Sequence, residues 1–226
     1  MSGKLYLVSI PIGNSEDITL RALRILKEVD FIICEEYKEA RRFLSQNKIE
    51  KTLFELNEHN ESEEANNILL KLIEGQSAAL ISDAGTPLFS DPGHLFVELC
   101  ISQKIDVVPV PGANSLLPAL ICSGFDFEKF YYYGWLSPKK DLRRKELLKL
   151  KNIKEVIVLL ETPYRLKSLL NDVAKVMGKN INAVLAFDLT MKTEKFYRGT
   201  VYEILKTAEE KNLKGEFVLI LNNKPK

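Results

Sequence analysis

The chain has 226 residues, enough for one large α/β domain or two small ones around a substantial core. A hydrophobic fraction of 46% and a charged fraction of 28% are ordinary for a globular protein, and a net charge of +1 gives no global field toward nucleic acid or membrane. No apolar run approaches the roughly 20 residues that span a bilayer, and with only two histidines, His59 and His94, and no ligand spacing, no metal site is expected. Cys34, Cys100 and Cys122 are odd in number and widely spaced in apolar or helical surroundings, so they read as buried free thiols in a reducing compartment. A strand starts almost at once, with no basic and apolar leader, and the expected location is the cytoplasm.

Leu5–Ile10 is a short β-rich run that stops at Pro11 and Gly13, a buried strand followed by a turn. A helix follows, with Asp17 as its N-cap and Leu20, Leu23 and Leu26 on its inner face. Val29–Cys34 is the next strand. Glu61–Glu74 carries Ala65, Ile68, Leu69, Leu72 and Ile73 at helical spacing, and Gly75 stands where a C-terminal cap belongs. Ala78–Ser82 is a strand, Leu95, Phe96, Leu99 and Cys100 mark a helix, and Ile105–Pro109 is another strand. Strands alternating with helices predict a parallel sheet.

After Gly124 the pattern changes. Phe130–Gly134 is an aromatic strand, Leu142–Lys151 a charged helix and Glu155–Leu160 a strand. A helix over Arg165–Met177, strands over Asn182–Phe187 and Phe196–Thr200, a helix near Ile204–Ala208 and the strand Glu216–Leu221 follow. Consecutive strands with fewer helices predict a mixed sheet. The expected organisation is therefore two α/β domains: 1–114, a linker over 115–125, and 126–226.

Open α/β sheets bind ligands at the carboxyl ends of their strands. Three strand ends in the first half carry unusual turns: Pro11-Ile-Gly-Asn14, Ser82-Asp-Ala-Gly-Thr-Pro-Leu-Phe-Ser-Asp-Pro-Gly93, and Val110-Pro-Gly-Ala-Asn-Ser115. Gly permits close backbone approach and Pro stiffens the path, so such loops can present N–H and C=O groups to an amino-acid-like or nucleoside ligand. None matches a dinucleotide or P-loop pattern. Within the long loop, Asp91 before Pro92-Gly93 reads as a helix cap.

These residues resemble the tetrapyrrole methylase superfamily and, within it, the family of small-subunit (16S) ribosomal RNA cytidine 2′-O-methyltransferases. The resemblance is carried by Leu5–Asn14 with Glu16–Leu23, by Ser82–Gly93, and by Pro109–Ser115 with Ser123-Gly124. It continues through Glu161-Thr-Pro-Tyr-Arg-Leu166, Arg198-Gly-Thr200 and Gly215-Glu-Phe-Val218, in order along nearly the whole chain. It implies two α/β domains with S-adenosylmethionine held in a cleft between them, a homodimer, and the small ribosomal subunit or its rRNA as partner. The family's Glu-Asp-Thr-Arg is here Glu35-Glu-Tyr-Lys38, its Glu-Ser-Pro-His-Arg is Glu161-Thr-Pro-Tyr-Arg165, and its Arg-Glu-Leu-Thr-Lys is Phe187-Asp-Leu-Thr-Met191. The cofactor loops are kept while the acceptor side differs.

The resemblance places the cofactor against Pro11, Ile12, Asp83, Ala84, Gly85, Pro87, Ser115, Leu116, Glu161, Thr162, Leu185, Ala186, Gly215 and Glu216. A ribose hydroxyl is a poor nucleophile that a nearby base would help. Glu36 and Glu35, just past a strand end, are the candidate catalytic pair. RNA phosphates call for Lys and Arg, and unstacked bases for aromatic faces. Lys38, Arg41, Arg42 and Lys48 form one basic stretch, with His59 on a family motif near the acceptor side. Lys139, Lys140, Arg143, Arg144 and Lys145 form a second, beside Tyr132, Tyr133 and Trp135. Two other readings stay open: a methyltransferase for a tetrapyrrole or other small acceptor, and a non-catalytic ribosome- or RNA-binding module on the same fold.

Overall fold

The computed structural model describes residues 2–225. The chain divides into two compact units, Met1–Asn114 and Ser115–Lys226. In the first, strands and helices alternate: β1 (Lys4–Val8), α1 (Leu20–Glu28), β2 (Phe31–Cys34), α2 (Tyr37–Gln46), β3 (Thr52–Glu55), α3 (Glu61–Ile73), β4 (Ala78–Leu80), α4 (His94–Ser102) and β5 (Asp106–Val110). The five strands lie in the order β3-β2-β4-β1-β5, and every pairing is parallel. The inner strands are covered on both faces, so Phe31-Ile-Ile-Cys34 and Ala78-Ala-Leu80 are continuously apolar rather than alternating. Ala22, Ile25 and Leu26 of α1 and Ala40 and Leu44 of α2 pack on one face. Ala65, Ile68, Leu69 and Leu72 of α3 and Phe96 and Cys100 of α4 pack on the other.

Two local expectations are corrected. Asp17 belongs to a short 3-10 turn, and α1 is capped instead by Thr19, whose hydroxyl accepts the Ala22 N–H at 3.0 Å. That phase turns Leu20 to solvent, 86% exposed, and buries Ala22 in its place. Gly75 closes α3 with a φ of 101°, as its position predicts.

The second unit contains α5 (Leu116–Ile121), β6 (Phe130–Trp135), α6 (Lys140–Leu150), β7 (Val156–Glu161), α7 (Leu166–Val176), β8 (Asn182–Phe187), β9 (Lys195–Thr200), α8 (Val201–Glu210) and β10 (Phe217–Asn222). Its sheet has the order β6-β7-β10-β8-β9; β6 and β7 are parallel and the remaining pairs antiparallel. This is the mixed sheet expected. Leu147 and Leu150 of α6, Leu169, Leu170 and Val173 of α7 and Ile204 and Ala208 of α8 cover one face over Leu159, Leu185 and Leu219. A reciprocal capping box between Thr200 and Glu203 starts α8.

The expected linker over 115–125 is not a free connection. It contains α5, which packs against β10, with Ala119 and Leu120 fully buried. The thiol expectation is also corrected in part: Cys34 and Cys100 are buried, but Cys122, at the end of α5, is exposed. Burial pushes the Cys34 and Cys100 thiols up to about 12, so both stay protonated. No helix among the described residues is long and apolar enough to cross a membrane.

Candidate active site

The C-terminal edge of the first sheet is a set of loops fastened to one another. Beyond β1, Ile10 pairs with Gly85 by two backbone bonds, Ile10 N–H to Gly85 O at 2.8 Å and Gly85 N–H to Ile10 O at 3.1 Å. The Thr86 hydroxyl lies 2.9 Å from the Ser9 hydroxyl and donates to the Ala113 carbonyl at 3.1 Å. One side chain thus ties the loops after β1, β4 and β5. Two glycines allow the approach. Gly85 has a φ of +81°, and a Cβ there would stand 3.1 Å from Ile12 Cγ2; a Cβ on Gly112 would stand 2.9 Å from Ser9 Cβ. Asp83 and Ala84 remain exposed at this edge, with Pro11 and Ile12 half-buried and Pro87 buried beneath.

Beside these loops, past β2, opens a cleft of about 730 Å³ lined by Glu35, Glu36, Glu55, Glu58, Asp91 and His59, with Tyr37 and Lys38 at its wall. Asn57 braces it: its amide donates to Glu55 at 2.8 Å, and its Oδ1 accepts the His59 N–H at 3.0 Å. Burial, then the negative charges of Asp91, Asp83, Glu36 and Glu58, push Glu35 up to about 7. Burial and then Asp83 push Asp91 to about 6 against a hydrogen bond from Ser82. Burial and Glu36 raise Asp83 as well, although the Glu36 backbone N–H donates to it. The cleft therefore holds protons near neutral pH, a condition for acid–base work.

Asp91 is the residue that sequence reasoning underrated. The cap position of α4 is Gly93, at φ 114°, and the Phe96 N–H is taken by Glu61 at 3.1 Å. Asp91 faces the cleft instead. Its position in the same Pro/Gly loop as Asp83 was the available signal.

In the second unit, β10 runs antiparallel to β7 and β8, which puts Glu161, Phe217 and Phe187 in register. Glu161, Thr162, Gly215 and Glu216 therefore gather at one end of that sheet, although the chain separates them. Glu161 is 2% exposed; its Oε1 accepts the Thr162 N–H at 2.7 Å and pairs with Arg165 at 2.5 Å. Its Oε2 has no hydrogen-bond partner among the described residues, an unusual state for a buried carboxylate oxygen. Burial and then Asp188 raise Glu216. The Leu185 side chain lies in the core beneath α7 and α8, which leaves its backbone as the part a ligand could meet. Ala186 is likewise fully buried, while Ser115 and Leu116, at the start of α5, are half-buried.

A family model described as Tetrapyrrole (Corrin/Porphyrin) Methylases matches residues 4–205. The chain belongs to this family. It is 42% identical over 219 residues to Ribosomal RNA small subunit methyltransferase I of Halalkalibacterium halodurans, covering 97% of this chain and 75% of that one. It is 40% identical over 222 residues to the protein of that name from Thermotoga maritima, covering 98% and 99%. Among solved structures, uroporphyrin-III C-methyltransferase from Thermus thermophilus complexed with S-adenyl homocysteine aligns with a TM-score of 0.66 at 17% identity over 97% of each chain. At that identity the likeness is one of fold.

The basic residues of this tetrapyrrole methylase chain fall into distinct settings. Lys38 and His59 line the acidic cleft. Arg41 lies over the Tyr37 ring, 5.6 Å from its centroid, and Arg42 pairs with Glu39 at 2.6 Å while staying largely exposed. Lys139 and Lys140 are exposed at the start of α6. Arg143 corrects an expectation. It is 3% exposed, its Nε and Nη2 donate to Asp172 at 2.9 and 2.7 Å, Nη2 also donates to the Ser168 hydroxyl, and Nη1 donates to the carbonyls of Ser137 and Pro138. Such a guanidinium is a structural clamp with no donor left for a phosphate. Arg144 shares Asp172 at 2.8 Å and is partly exposed.

Proposed function

We propose that the chain is an S-adenosylmethionine-dependent methyltransferase that modifies the ribose 2′-oxygen of a cytidine in small-subunit ribosomal RNA. The observation that carries the reading is the loop edge beside a cleft whose Glu35 binds its proton near pH 7. The sequence identity of 42% to a ribosomal RNA small subunit methyltransferase over nearly the whole chain supports the acceptor.

The residues present fit the cofactor. The exposed Asp83 carboxylate and the Ala84 backbone suit the methionine ammonium, and Gly85 admits a close backbone approach. Pro11, Ile12, Pro87, Ser115 and Leu116 offer further contacts. In the second unit, Glu161 Oε2, without a partner among the described residues, offers with Thr162, Gly215 and Glu216 polar groups that suit an adenosine. When bound, S-adenosylmethionine supplies a methyl group on a sulfonium. Glu35 accepts the proton of the ribose hydroxyl as that oxygen is alkylated, and its burial, with the negative charges around it, keeps its proton affinity high. Glu36, held at its backbone N–H by Asp83, orients the hydroxyl. Positioning supplies much of the remaining rate. The working form is a cytoplasmic homodimer acting on the small subunit or its rRNA.

The test is to incubate the protein with S-adenosylmethionine tritiated in the methyl group and small subunits from cells lacking it. Calorimetric binding of the cofactor and tritium in the rRNA are expected. Absence of binding sinks the donor assignment. Binding without label in RNA sinks the acceptor.

A further inference from the structure

We propose that a basic groove along α2 and β3 carries the RNA strand flanking the methylated nucleotide, with Tyr37 as the stacking residue at its mouth. The inference rests on the functional reading above and adds a path for the strand.

The groove measures about 970 Å³ and is lined by Tyr37, Arg41, Lys48 and Lys51, with Glu50 as the one acid. The neighbouring cleft has the opposite character, with five carboxylates against Lys38 as its lysine. A phosphodiester is repelled from such a cleft, whereas a neutral ribose and base are not. A strand delivering one nucleoside to Glu35 must keep its phosphates elsewhere, and the adjoining surface offers three cations. Tyr37 lines both cavities, so it stands where a strand would leave the cleft. It is the first residue of α2, it is 38% exposed, and Arg41 one turn later holds its ring by a cation–π contact at 5.6 Å. A braced, accessible ring beside a guanidinium plane is a stacking platform for an unpaired base. Lys48 is exposed just past the end of α2, and Lys51, which donates to the Val29 carbonyl at 2.5 Å, has N–H groups to spare.

The experiment measures small-subunit rRNA binding against salt and methyl transfer for Tyr37→Ala, Tyr37→Trp and Lys48→Gln. For Tyr37→Ala the KM for rRNA rises about tenfold, the scale of one lost base stack, Tyr37→Trp restores it, and calorimetric affinity for S-adenosylmethionine is unchanged. For Lys48→Gln the slope of log affinity against log salt becomes shallower by about 0.7 to 0.9, one phosphate contact. Wild-type KM and slope in both variants, alongside a wild-type protein that labels rRNA, overturn the groove and leave the function standing. A Tyr37→Ala loss that also weakens cofactor binding, and that Tyr37→Trp does not rescue, marks a merely structural ring and overturns it too. A wild-type protein that labels no rRNA overturns both.

Discussion

In the proposed reaction, Glu35 is the residue on which the chemistry turns. Burial and four nearby carboxylates move it from an ordinary value of 4.5 to about 7. As a base it works only when ionised, so methyl transfer should rise with pH through about 7 and fall away below it. Glu35→Gln should lose about a hundredfold or more in turnover and flatten that profile, measured as initial rates from pH 5.5 to 8.5. The same shift has a stability consequence of opposite sense. A carboxyl with a raised folded pKa binds more protons folded than unfolded. Its contribution is complete below about 4.5 and lost as pH rises through 7. Glu35→Gln should therefore melt above the wild type at pH 8, with the difference closing near pH 4.5. A gain in stability with a loss of activity would set it apart from the groove residues.

At the scale of elements, Arg143 and Asp172 join α6 to α7, both side chains 4% exposed. Burial opposes the Asp172 charge, but hydrogen bonds from Arg144 and Arg143 outweigh it and hold the pKa below 3.8. The contribution of that pair is present above 3.8 and lost as pH falls through the folded value. Arg143→Ala leaves the buried Asp172 with only the partly exposed Arg144 as its cation and should cost about 3 kcal/mol in urea unfolding at pH 7, with a smaller cost in strong acid. The sequence concealed this role because Lys139–Lys145 reads as one solvated basic run, and nothing in it announces a partner 29 residues away. Strand and helix types were legible wherever apolar residues ran unbroken, as in Phe31–Cys34, or recurred at helical spacing, as in Ala65–Leu72. They were illegible for α2, where only Ala40 and Leu44 are buried, and for the edge strand β3, whose side chains are all at least partly exposed. The phase of α1 was misread because Leu20 is apolar yet outside the core.

Over the whole molecule, the Pro/Gly loops were legible because close backbone approach demands residue types that few other structures need. The acidic cleft was not, since Glu55, Glu58 and Asp91 are ordinary residues until β2, β3 and the loop after β4 bring them together. Membership of the tetrapyrrole methylase family accounts for both sheets and for the methyl donor. The acceptor rests on the cleft and groove of the first unit. Mass mapping of nuclease fragments from small-subunit rRNA tests it most directly, comparing cells that make the protein, cells that lack it, and deficient subunits treated with protein and S-adenosylmethionine. The account predicts one cytidine-containing fragment that loses a single ribose methyl group in the deficient cells and regains it on treatment. Identical fragment masses in all three samples would contradict it.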